Sequence, residues 1–418
     1  MLWRVALLVL AALSLAAGEP RRFDGHRVYR VVPTNKHHVQ FLNELASKYY
    51  NDILFWKDAS VANRTADVMV SPELQNSFLE TLEKKGMKSS VYVEDVQKLI
   101  DNERPAKKSR ASFGWDDYHT LDEINEWLDS LADSYSGVVT TVVGGSTYEG
   151  REIRGIKISY GTGNPAVVIE GGIHAREWIS PASVTWFINE ILTSTDASVR
   201  SIVESFDFYI FPNTNPDGYE YTWTDNRMWR KTRKPYNLCV GADPNRNWDF
   251  HWAEEGASSI SCSEAFAGSE AFSEVETKTL SEFLTGLGSD LQVYLSFHSY
   301  SQLLMYPYGV SSVVADNAAE LQQIVEKAAQ VLATRYGTQY TVGSIVDAIY
   351  PAAGTSIDWS MGALGLRYSF VWELRDTGLY GFILPADQII PTSEETFDSV
   401  LSVLEDVLAA SRSKKQLH

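Results

Sequence analysis

His174 and Glu177, in His174-Ala175-Arg176-Glu177, stand three residues apart, a spacing that lets one imidazole and one carboxylate grip a single divalent ion from one short turn. A catalytic zinc typically takes three protein ligands and keeps a fourth position open, and two His with one Glu is a recurring set. The third ligand has to come from elsewhere in the chain. The sequence contains eight His, and His298, in Leu295-Ser296-Phe297-His298-Ser299-Tyr300, is the best candidate because it too ends an apolar, strand-like run. Alone, His-x-x-Glu also occurs on ordinary solvated helix faces.

The flanking elements give the pair its setting. Val167-Val168-Ile169 reads as a buried strand, Gly171-Gly172 breaks it, and Trp178 to Leu192 has helical apolar spacing. The pair therefore falls on a strand-to-helix loop, where α/β folds place their ligands. Strands are expected at 138–143, 152–159, 166–170, 206–211 and 291–297, with helices at 317–335 and 392–412. Thr120 with Glu123 spells a capping box that starts another helix. Alternation over this length implies one α/β domain, residues 111–418, with a mixed central sheet flanked by helices on both faces.

Ahead of it, residues 19–101 read as a small α+β domain with two helices (36–48 and 72–85) on an antiparallel sheet of strands at 27–32, 53–56, 65–70 and 89–94. Residues 102–110, ending Arg104-Pro105-Ala106-Lys107-Lys108-Ser109-Arg110, form a basic connector of the kind that is exposed to proteases. Residues 1–18 have a basic start, a short apolar core and small residues at the end, as in a secretory signal peptide, and the apolar run is shorter than a membrane span needs.

The formal net charge is −18, but residues 1–110 carry 17 Lys and Arg against 13 Asp and Glu, whereas residues 111–418 carry 19 against 41. Acidity of the larger part argues against nucleic-acid binding and for solubility, and no membrane partner is expected. In an oxidising secretory route Cys239 and Cys262 can form one bridge; two buried thiols are the alternative. Asn63-Arg64-Thr65 is the single N-x-S/T sequon and is compatible with secretion.

Gly171-Gly172-Ile173-His174-Ala175-Arg176-Glu177-Trp178 resembles the zinc signature of the metallocarboxypeptidase family. The likeness continues through residues 226–233 (NRMWRKTR), 245–248 (NRNW), 298–302 (HSYSQ), 354–359 (GTSIDW) and 373–378 (ELRDTG), in the family's order. The resemblance implies a secreted zinc exopeptidase made as a zymogen, with residues 19–101 as activation domain, removed by a trypsin-like protease at the basic connector. Zn2+ is the implied cofactor, held by His174, Glu177 and His298. Peptides or proteins with a free C-terminus are the implied substrates, and a monomer is expected.

Peptide hydrolysis at zinc requires a base and a fixed cation for the charge that develops on the carbonyl oxygen. Glu373, at the end of the aromatic run 367–372, matches the family's base, and Arg230 its oxyanion partner. Asn245 and Arg246 match the pair that binds the substrate α-carboxylate, Tyr350 the phenol that closes over it, and Arg176 a secondary carboxylate contact during entry. Ile357 matches the floor of the side-chain pocket, with Met305, Ile345 and Val371 on its walls. Thr355, where glycine is the family's usual residue, and Tyr300 complete the substrate-contacting set. An apolar floor implies preference for aliphatic or aromatic C-terminal residues. The resemblance also implies cis peptides at Ser299-Tyr300, Pro307-Tyr308 and Arg375-Asp376. A catalytically inactive peptide binder would not need Glu373 beside a metal, and a deacylase of the same superfamily would not need Asn245, Arg246 and Tyr350.

Overall fold

The computed structural model describes residues 19–104 and 113–416; the expected signal peptide and most of the basic connector lie outside them. The N-terminal unit is a four-stranded antiparallel sheet of β1 (Arg27–Val32), β2 (Ile53–Lys57), β3 (Ala66–Val70) and β4 (Lys88–Val93), in the order β2-β3-β1-β4. Helices Lys36–Lys48 and Gln75–Lys84 pack on it through Leu42, Phe78 and Leu82, which join Tyr29, Val31, Phe55 and Val68 in one core. Asn35 starts the first helix by accepting a hydrogen bond from the His38 amide. The second helix is shorter than expected, because Ser71 to Leu74 turn before it begins. A third helix, Val96–Glu103, capped by Asp95, was not expected from the sequence.

The larger unit is built on eight strands: β5 (Val139–Ser146), β6 (Glu152–Ile158), β7 (Ala166–Gly171), β8 (Asp207–Phe211), β11 (Leu291–His298), β12 (Leu303–Tyr306), β13 (Thr341–Ser344) and β14 (Tyr368–Glu373). Their order is β13-β12-β14-β11-β7-β8-β6-β5. The four central strands, β14, β11, β7 and β8, run parallel; β12 joins β14 antiparallel and carries β13 parallel to itself, while β6 joins β8 antiparallel and carries β5 antiparallel. A separate two-stranded hairpin, β9 (Pro235–Tyr236) and β10 (Cys239–Val240), stands apart from this sheet.

Central strands covered on both faces must be apolar on both faces. Val167, Ile169, Val293, Leu295 and Phe297 enter one core, together with Phe187 from helix Ile179–Thr193, Leu321 from helix Ala318–Tyr336 and Val400 from helix Ile389–Gln416. Val168, Phe211 and Tyr294 enter the opposite core with Leu280 and Leu284 from helix Val275–Gly286. The capping box at Thr120 and Glu123 is present and starts helix Leu121–Ser134.

Phe297 is fully buried, stacked on Trp372 at 5.0 Å and edge-on to Phe187 at 5.1 Å. Phe297→Ala is expected to lower the stability of this unit by about 3 to 5 kcal/mol. An unfolding free energy, from guanidinium titration, that falls by less than a third of that would show that the site collapses around the cavity.

Candidate active site

Three of the parallel strands deliver chemistry at one edge. Strand β7 ends at Gly171, and Gly172 turns the chain at φ +66, where a Cβ would lie 3.0 Å from Asn213 Cγ. The turn carries His174 and Glu177 over the sheet edge, with the Ala175 amide donating to Arg230 O at 3.1 Å. His298 is the last residue of β11 and Glu373 the last of β14, directly paired in register. The fold thus places these four side chains at the carboxyl ends of adjacent strands, the usual ligand position in open α/β sheets.

His174, Glu177 and His298 are buried, and their ligand atoms lie within 4.8 Å of one another. His174 Nδ1 is 2.8 Å from Glu177 Oε1, His298 Nδ1 is 3.2 Å from Glu177 Oε2, and the two Nδ1 atoms are 3.1 Å apart. In a tetrahedral zinc site with ligand bonds of about 2.0 to 2.1 Å, neighbouring ligand atoms sit about 3.3 Å apart. The donor set therefore fits zinc in type and in spread. The far nitrogen of His174 lies 3.0 Å from Asp243 Oδ1, the carboxylate partner that orients a metal-binding imidazole.

Asp243 escaped the sequence reading. It is fully buried; Oδ1 accepts from the Asn245 amide at 2.8 Å and faces His174, while Oδ2 accepts from Arg230 Nη2 at 2.8 Å. Burial opposes its ionisation, yet Arg230 and His174 hold the carboxyl well below the usual carboxylate range. One charge thus fixes a ligand ring and the neighbouring guanidinium, whose Nη1 also lies 3.6 Å from Glu177. Its position two residues before Asn245-Arg246 was a signal that the sequence offered.

Arg230, Asn245, Arg246, Tyr300, Met305, Ile345, Tyr350, Thr355, Ile357, Val371 and Glu373 line the same cleft as His174, Glu177 and His298. Met305, Ile345, Ile357 and Val371, among these, belong to one apolar cluster. Asn245 Oδ1 accepts from the Ser356 amide at 2.9 Å, and its Nδ2 lies 3.3 Å from His298 Nε2. The guanidinium of Arg246 lies 6.0 Å from the Tyr350 ring centre. Burial, with the like charge of Glu177, pushes the Glu373 carboxyl up to about 8 against the pull of His298, Arg230 and Arg246. Arg176 stands to one side of this cleft. Cys239 and Cys262 are joined in a disulfide, and the three peptides expected to be cis are cis.

The N-terminal unit closes the opening. Trp56 and Lys57, at the end of β2, line the cleft, and Trp56 packs on Phe382 with ring centres 5.7 Å apart. Arg176 Nη2 donates to Phe55 O at 3.1 Å. The Tyr300 hydroxyl donates to Asp67 at 3.2 Å, and Arg64 donates to the carbonyls of Asp347 and Ile349, beside Tyr350. Behind this contact the buried pair Glu103 and Arg227 joins helix Val96–Glu103 to the larger unit.

Residues 124–399 match the zinc carboxypeptidase family, and residues 29–103 match the carboxypeptidase activation peptide. The chain belongs to the zinc carboxypeptidase family. It is 47% identical over 412 residues to zinc carboxypeptidase A 1 of Anopheles gambiae, covering 97% of this chain and 95% of that one. With carboxypeptidase A1 of Rattus norvegicus the identity is 43% over 412 residues, covering 96% and 98%. Among solved structures, thrombin activatable fibrinolysis inhibitor superposes with a TM-score of 0.84 at 34% identity, over 93% of this chain and all (100%) of that one. Carboxypeptidase A from Helicoverpa armigera gives 0.83 at 28% identity, over 93% and 99%. The protein is thus a metallocarboxypeptidase of the carboxypeptidase A type, with zinc as cofactor and an activation peptide that makes it a zymogen.

Asp243→Asn keeps the shape but removes the charge that orients His174. Zinc affinity is expected to fall about 10- to 100-fold, read by competition with a chromogenic chelator. An unchanged affinity would place the orientation of His174 elsewhere.

Proposed function

We propose that the activated protein is a secreted exopeptidase that hydrolyses the last peptide bond of its substrate and releases aliphatic or aromatic residues. The observation that carries the specificity is the apolar floor of Ile357, Met305, Ile345 and Val371, in the same cleft as the metal ligands and Glu373. A Lys or Arg side chain buried against Ile357 would find no counter-charge, at a cost of several kcal/mol.

Bound zinc supplies Lewis acidity towards a carbonyl or a water. Glu373, at the end of β14 in the same cleft as the metal ligands, takes a proton from the attacking water and returns it to the leaving amine. Arg230, held by Asp243, donates to the oxygen on which charge develops. Arg246 and Asn245 bind the α-carboxylate of the terminal residue, which restricts cleavage to chain ends. Tyr350 closes over the bound residue, Tyr300 flanks it, Thr355 narrows the pocket against the largest rings, and Arg176 assists entry.

The zymogen reading extends to its address and activation. The signal-like residues 1–18, the sequon at Asn63 and the disulfide support secretion, and the basic residues 104–110 support cleavage by a trypsin-like protease near Arg110. The working form is proposed to be a monomer.

Glu373→Gln in the activated enzyme should keep one zinc per chain and lose at least about 100-fold in kcat; normal turnover would remove Glu373 as the base. Peptides differing only at the last residue should give kcat/KM values for Phe and Leu well above that for Arg, and Ile357→Asp should move preference towards Lys and Arg. A rate for Arg at or above that for Leu would overturn the specificity. Uncleaved protein should be nearly inert on large peptides, with activity appearing as trypsin cuts near Arg110; full activity before the cut would refute the shielding.

A further inference from the structure

Arg176 leaves the metal turn in a different direction from its neighbours. Its side chain is 3% exposed, and its guanidinium lies 4.2 Å from the Phe382 ring centre. Nη1 pairs with Glu264 Oε2 at 3.0 Å and reaches Met228 O at 3.5 Å, while Nη2 donates to the Phe55 carbonyl of the activation unit. Five N–H groups on a buried, flat cation need a fixed counter-charge to hold one orientation. Among the described residues, Glu264 is the only acid that forms an ion pair with Arg176.

Glu264 sits on a loop rather than on a strand or helix, so something else must hold it still. Cys262, two residues earlier, is bonded to Cys239 at the start of β10. Lys231 Nζ donates to Ser261 O at 2.9 Å, and Ser258 and Ala265 are joined by a backbone hydrogen bond of 2.8 Å. Lys231 directly follows Arg230, so the loop is tied to the same segment that carries the oxyanion cation.

We propose that Glu264 is a positioning residue for Arg176, and that the Cys239–Cys262 disulfide acts on substrate binding by holding Glu264 in place. When the activation unit leaves, the Nη2 edge that now holds the Phe55 carbonyl is free to take an acceptor oxygen of the substrate. A loop without its anchor lets Glu264 drift, and Arg176 then turns to solvent or to Met228 O and offers a poorer donor edge. The proposal rests on the reading of Arg176 as a substrate contact.

The test uses trypsin-activated protein and blocked peptides of two to six residues with one common C-terminal pair. Arg176→Ala defines the length at which KM begins to rise. Glu264→Gln should raise KM by about tenfold from that same length upward, with kcat on the shortest peptide and zinc content unchanged, because the counter-charge of Arg176 is lost without a change of shape. Glu264→Asp should recover part of the loss, and the paired change Cys239→Ala with Cys262→Ala should reproduce the length-dependent rise. A KM that rises with length in Arg176→Ala but not in Glu264→Gln would overturn the positioning role while leaving Arg176 as a contact. No rise in Arg176→Ala at any length would overturn both. A fall of kcat on every peptide in Glu264→Gln, unrelieved in Glu264→Asp, would mark a merely structural role and overturn the proposal as well.

Discussion

Parallel pairing of β7, β11 and β14 is the constraint on which the site depends. Their hydrogen bonds fix Phe297 opposite Gly171 and His298 opposite Glu373, so the third metal ligand and the proposed base stand side by side through backbone register alone. A slip by one residue would turn His298 to the other face of the sheet and bring the Phe297 side chain to the edge. The packing that prevents a slip is double, since Phe297 and Leu295 are locked into one core while Tyr294 is locked into the other. Thus the stability of the sheet and the geometry of the metal site are one problem. The loops supply what register cannot: the turn at Gly172, and the buried carboxylate of Asp243 that binds the far nitrogen of His174 and the Arg230 guanidinium to one another.

The activation unit meets this edge with main chain as well as side chains. Its β2 end offers Phe55 O to Arg176 and Trp56 to Phe382, strand β3 offers Asp67 to Tyr300, and the loop before β3 offers Arg64 to the carbonyls of Asp347 and Ile349, just ahead of Tyr350. These contacts fall on residues at the rim of the cleft, while the ligand cluster beneath keeps its hydrogen bonds to Asp243 and to the Ser299 amide. Shielding therefore does not require the site to be disassembled.

Much of this was legible in the sequence because the local signals agreed with the tertiary ones. The β-branched run at 167–169, the Gly-Gly break and the helix after Trp178 mark the ligand turn, and the Thr120 capping box formed as read. Strands β12 and β13 were not read, since each has only four residues and β13 contains Gly343, too short and too mixed for a period of two to show. Helix Val96–Glu103 hid beside the charged connector, and its role depends on Glu103 meeting Arg227 more than a hundred residues away. Glu264 was invisible for the same reason, and Asp243 showed only by its place beside Asn245-Arg246: an acid in a loop acquires its role only when the fold sets it against a particular cation.

The proposed cut in the basic connector would turn a covalent tether into a free domain, which gives the buried contacts between the two units a kinetic meaning. A tethered domain competes with substrate at an effective concentration in the millimolar range, whatever the protein concentration outside. Once the chain is severed, the same interface, with the Glu103–Arg227 pair and the packing of Trp56, Met69, Met228 and Phe382, must hold against dilution. Activation is then complete only when the freed domain departs or is itself digested. The speed of the switch is set by volume and dissociation as much as by the cutting protease.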